Sequence, residues 1–133
     1  MIGFGESNEE FGKLSPGLVS FEEQIICDDD DSRLNSLIIR LKTETGIKLR
    51  IQFDDYLMYM SRNESFTCGD EYEKHKGMWL VTFEKSRFLD MSNYVISDVN
   101  IFNSPGIRTH YGIYLWDYIF DVLSYNKPII TQE

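Results

Sequence analysis

The chain has 133 residues and a net charge of −9, from 13 basic and 22 acidic side chains. At 42% hydrophobic and 26% charged, it is composed like a globular domain with one core, not like a disordered chain. No apolar run approaches the ~20 residues needed to span a bilayer. The acidic balance disfavours nucleic acid and anionic lipid as partners and favours a cationic one, although acidity also serves plain solubility.

Residues 1–17 are polar and carry Gly3, Gly5, Gly12 and Gly17, which predicts a loosely ordered lead-in. It lacks the basic-then-apolar order of a signal peptide. Leu18 to Cys27 reads as a strand, with Val19, Phe21 and Ile25 on one parity and the polar Glu23 interrupting it. Asp28, Asp29, Asp30 and Asp31 follow as a contiguous run, and like charges this close predict a solvated loop.

The best-patterned stretch comes next. Leu37, Ile39 and Leu41 alternate with Ile38, Arg40 and Lys42; after Thr43 to Gly46, Ile47, Leu49, Ile51 and Phe53 alternate with Lys48, Arg50, Gln52 and Asp54. A period of two predicts an antiparallel hairpin with Ile39, Leu41, Leu49 and Ile51 buried, and Gly46 suits the positive φ of its loop. Tyr56 to Met60 is apolar on both parities. This fits a strand covered on both faces, or a continuation of the second arm past a bulge at Asp54-Asp55.

Ser61 to Gly77 reads as a long polar excursion with a small strand around Ser65 to Cys68, and Met78 to Glu84 as a strand. Ser86 is placed to cap a short helix over Arg87 to Val95, with Phe88, Leu89 and Met91 or Tyr94 inward. Asn103 to Gly106 signals a turn. His110 to Leu115 and Tyr118 to Ser124 read as two strands about a Trp116-Asp117 turn; one amphipathic helix from Ile113 to Leu123 is the competing reading, and β-branched and aromatic enrichment favours strands. Ile129-Ile130 adds an edge segment. With no internal repeat or linker, residues 1–133 form a single domain. The fold class is mainly β, bordering on α+β: an antiparallel sheet or sandwich-like architecture with one short helix.

Chemistry-bearing residues are few. His75 lies between lysines in a polar segment and reads as a surface residue. His110 could serve as an acid–base group, but no partner at a diagnostic spacing accompanies it, which favours a structural histidine. Cys27 and Cys68 both lie near carboxylates, which raise a thiol pKa and oppose a nucleophilic role. Two cysteines without an export signal are expected as free thiols in the cytoplasm. The Asp28 to Asp31 run lacks the alternation of a calcium loop, so no metal and no cofactor are expected. Tyr111, Tyr114 and Trp116 are candidate linings of a ligand pocket.

The segments Tyr56 to Ser65, Phe83 to Asp90 and His110 to Ser124 resemble small acidic bacterial proteins that are themselves similar to the immunity proteins of contact-dependent growth inhibition and other polymorphic toxin systems. Immunity proteins share no common fold or signature, so no residue is carried over by motif. The resemblance implies a non-enzymatic cytoplasmic inhibitor that occludes the active site of a cognate toxin domain, often a nuclease, whose basic surface would suit an acidic partner. The partner-binding residues expected on that basis are Glu22, Glu23, Asp28 to Asp31, Asp54, Asp55, Asp70, Glu71 and Glu73, with Tyr72 as an aromatic anchor; neither nucleic acid nor membrane is expected as a partner. The alternatives are a small-ligand-binding or regulatory β-domain with a pocket near Tyr111, Tyr114 and Trp116, and a minor hydrolase built on His110.

Overall fold

The computed structural model describes residues 2–3, 19–28, 35–43, 46–63, 79–96 and 108–133, the first two segments as backbone alone. They form strands β1 (Ile2–Gly3), β2 (Val19–Asp28), β3 (Asn35–Thr43), β4 (Lys48–Asp54), β5 (Met58–Asn63) and β6 (Leu80–Phe83), helix α1 (Arg87–Val95), and strands β7 (Thr109–Tyr114), β8 (Tyr118–Ser124) and β9 (Ile129–Gln132). The molecule is mainly β, with two antiparallel sheets and, among the described residues, one short helix.

The predicted hairpin is β3–β4. Its register pairs Leu37 with Phe53, Ile39 with Ile51 and Leu41 with Leu49, and all six side chains have no exposed surface. Gly46 turns the loop with a φ of 89°. Two residues depart from the pattern: Ile47 precedes the strand, in the loop, and is exposed, and Ile38, on the outward parity beside Ile25 of β2, is buried. β2 and β9 flank the hairpin, giving a four-stranded sheet of order β2-β3-β4-β9. The polar interruption at Glu23 has a backbone cause. The register shifts between Phe21, opposite Leu41, and Glu23, opposite Arg40, leaving Glu22 as the extra residue of a β-bulge,.

After β4 the chain leaves this sheet. Asp55 turns it with a φ of 55°, a left-handed conformation that aspartate tolerates. β5 is thus neither a continuation of β4 nor a strand covered on both faces. It is the half-buried edge of a second sheet, of order β1-β6-β7-β8-β5. Within the predicted lead-in, Ile2 and Gly3 form the opposite edge, beside Thr82 and Val81. β7 and β8 are strands as the sequence suggests, pairing His110 with Leu123 and Tyr114 with Ile119.

The inner face of β3–β4 packs against Trp79, Leu80, Tyr111, Ile113, Leu115, Phe120 and Val122 of the second sheet in one cluster, and Phe53 meets Tyr111 edge-on at 5.3 Å. This is a two-layer sandwich. The far face of the five-stranded sheet is also apolar, because α1 lies over it: Phe88 stacks within 4.7 Å of the His110 ring. That second cover explains why all four residues of β6 are buried. Along α1, Phe88 and Ser92 point inward, whereas Met91 and Tyr94 are exposed, against expectation. Residues 4–17, the strand expected at Ser65 to Cys68, the turn at Asn103 to Gly106 and the state of Cys68 lie outside the described residues.

Candidate functional site

Two arrangements of polar side chains have definite geometry. The first is an acidic end of the four-stranded sheet. Asp28 closes β2 opposite Asn35, Asp54 closes β4 opposite Ser36, and the Asp55 N–H donates to the Asn35 carbonyl at 2.6 Å. With strands ~4.8 Å apart, the backbones of Asp28 and Asp55 stand about 10 Å apart across β3. Asp28 is the first residue of the sequence-predicted run, so the β2–β3 and β3–β4 registers bring that one residue and the Asp54-Asp55 pair to one end.

Asp54 is tied down there. Its Oδ1 accepts from Ser36 Oγ and from Gln52 Nε2, both at 2.7 Å. The Gln52 amide first and the Ser36 hydroxyl second hold its carboxyl below the usual range, helped by the Arg50 charge and opposed by partial burial. Asp55 is exposed. Glu22 and Glu23 sit at the β2 bulge, several residues along the strand from Asp28. They belong to the same sheet but not to its acidic end. Asp29 to Asp31, Asp70, Glu71, Tyr72 and Glu73 lie outside the described residues.

The second arrangement is a buried relay. Its members come from β5, the cap of α1, β7 and β8. Ser86 Oγ lies 2.7 Å from His110 Nδ1, and His110 Nε2 lies 2.7 Å from Asp121 Oδ1. Arg62 Nη2 stands 2.9 Å from Asp121 Oδ2; the contact is between charges, since that oxygen accepts no aligned hydrogen bond. Ser86, His110 and Asp121 have no exposed surface.

One placement of protons satisfies the chain. The Leu89 N–H donates to Ser86 Oγ at 3.0 Å, the Ser86 hydroxyl donates to Nδ1, and the Nε2–H donates to the Asp121 carboxylate. Arg62 supplies the counter-charge that a buried carboxylate requires. The relay fastens the N-terminus of α1 to the sheet. Arg108, two residues before His110, stands 3.5 Å from the Ser92 and Ile96 carbonyls at the other end, so the start of β7 holds both ends of the helix.

Sequence reasoning found Ser86 as a cap and His110 as a candidate, but missed Arg62 and Asp121. A signal for Asp121 was present: an acid midway along Tyr118 to Ser124 cannot be buried without a partner. The predicted turn at Trp116-Asp117 also sets Asp121 diagonal to His110 on the same face.

The triad resemblance has limits. In Ser–His–Asp hydrolases the serine bonds Nε2 and the acid bonds Nδ1; here the ring is reversed, and the serine oxygen is held as a helix cap beneath α1. Tyr111, Tyr114 and Trp116 do not line a common pocket. Tyr111 faces the sandwich core, where burial raises its phenol pKa; Tyr114 packs on the opposite face with Phe83 and Ile119, and Trp116 is exposed in the turn. No helix among the described residues is long and apolar enough to cross a membrane. No family model, curated protein or solved structure matches the chain.

Proposed function

We propose that this protein is a non-enzymatic inhibitor that binds a cationic partner through the acidic end of its four-stranded sheet, as a cytoplasmic immunity protein binds its toxin. The observation that carries the reading is the convergence of Asp28 with Asp54 and Asp55 at one sheet end. The backbones that carry Asp28 and Asp55 stand about 10 Å apart, a separation comparable to one Debye length at 0.1 M salt. Carboxylates on a rigid sheet end can stand where substrate phosphates stand in a nuclease cleft, and the net charge of −9 steers the encounter. The test is co-expression with a toxin domain found encoded next to this gene, the neighbour that the reading requires. Cells survive with the wild-type chain and lose protection when Asp28 and Asp55 become asparagine; survival without any binding between the two proteins contradicts the reading.

A hydrolase built on His110 is the second reading, because a serine and a carboxylate both lie within hydrogen-bond reach of the ring. It requires α1 to lift from Ser86. A serine-directed fluorophosphonate separates the two readings: labelling that Ser86→Ala abolishes supports the hydrolase, and an unreactive Ser86 supports the strut.

A further inference from the structure

The outer edge of β9 presents backbone groups that its own sheet does not use. β9 closes the four-stranded sheet and has β4 on one side only. The Glu133 N–H donates to the Lys48 carbonyl at 2.9 Å. Counting back from that bond in steps of two, Thr131 and Ile129 exchange the ladder bonds with Arg50 and Gln52,. The N–H and C=O groups of Ile130 and Gln132 therefore point away from β4. Among the described residues, no hydrogen bond reaches those four groups. The edge is also uncovered: Ile129 is 52% exposed, and Thr131 and Gln132 are exposed beside it.

An open edge is a template for another strand, and β9 matches itself. The antiparallel register that uses all four groups sets Thr131 opposite Thr131 of a second copy, on a two-fold axis. Ile130 of each copy then exchanges both of its bonds with Gln132 of the other. Pro128, just before the strand, has no N–H and so disfavours a slip that would require a donor there. On the outer side Lys127 and Glu133 share the parity of Thr131. In this register they become diagonal neighbours across the join, within reach of long side chains. Lys127 is exposed and has no ion pair among the described residues, while Glu133 engages Arg40 through Oε1.

We propose that β9 is the contact edge of a two-fold dimer, in which two four-stranded sheets join into one continuous sheet. The antiparallel join also keeps like charge apart. Asn126 Nδ2 donates to the Asp54 carbonyl at 3.0 Å, so the chain enters β9 at the acidic end. The acidic end of the second copy lies at the opposite end of the join. Two chains of charge −9 still repel, and a four-residue edge buries little area, so the dimer is weak and reversible.

The test is sedimentation velocity of the full chain from about 1 µM to about 300 µM, a range suited to a small interface. The sedimentation coefficient should rise with concentration from monomer towards dimer. Gln132→Pro deletes an N–H that β4 does not use, so the melting temperature should hold. Its dimerisation should weaken at least about tenfold, because two cross-strand hydrogen bonds are lost. Lys127→Glu, which leaves the β9 backbone unaltered, should weaken it about threefold or more. Thr131→Cys should give a disulfide-linked dimer under mild oxidation that is absent from wild type. Residues facing each other on that axis stand about 4.5 Å apart at Cα, within disulfide range. Monomer at every concentration, equal association by both variants, or failure of Thr131→Cys to cross-link would each overturn the proposal.

Discussion

Replacing Ser86 by alanine removes one oxygen that serves two partners, so its cost should exceed that of an ordinary helix cap. Losing a serine N-cap typically costs ~1 kcal/mol. Here the same change also leaves His110 Nδ1 buried without a donor, at about 1–3 kcal/mol. The expected total is about 2–4 kcal/mol, within the ~5–15 kcal/mol that a domain can spare. Equilibrium urea unfolding measures it as a shift in midpoint at constant slope. The control is His110→Gln, whose amide can still donate to Asp121 but offers nothing to Ser86. In that background Ser86→Ala should cost only the cap, and the difference between the two backgrounds is the coupling energy. A cost near 1 kcal/mol in both backgrounds would refute the relay as a strut for α1.

Three further outcomes follow from the same packing. Leu49→Ala, at a site with no exposed surface in the inter-sheet core, should cost ~2–5 kcal/mol by urea unfolding. Gly112→Ala should destabilise by about 1–3 kcal/mol, because a Cβ there would stand 2.7 Å from Phe83 Cε2 and 2.9 Å from Tyr114 Cε2; a neutral effect would show that these rings have room to move. Asp54 has a lowered pKa, so its contribution is present above the unfolded value and lost as pH falls through the lower folded one. The urea midpoint of wild type should exceed that of Asp54→Asn at neutral pH, and the gap should shrink below about pH 4.

How much was legible in the sequence depended on how far apart the partners lie. The β3–β4 hairpin was readable because its pairing is local and its period of two survives to Phe53. The same register, extended one step, already brings Asp54 and Asp55 beside the start of β3. Glu23 looked anomalous until the bulge at Glu22 restored its parity. β5 was misplaced because an apolar run does not reveal which sheet it joins, and the turn at Asp55 sends it across the sandwich. The relay was hardest to see. Arg62, Ser86, His110 and Asp121 come from separate elements, and only the order β6-β7-β8-β5 with α1 laid across it brings them together.

Stopped-flow association with a cationic toxin domain, the cognate that the proposed role requires, tests that role most directly, for wild type and for Asp28→Asn/Asp55→Asn. Raising salt from ~0.1 M to ~1 M shortens the Debye length from ~10 Å to ~3 Å. The wild-type on-rate should fall strongly while the off-rate changes less. The variant, at −9 + 2 = −7, should start slower and lose part of that salt dependence. Absence of binding, or an on-rate equally insensitive to salt in both proteins, would contradict a partner captured by the acidic end of the sheet.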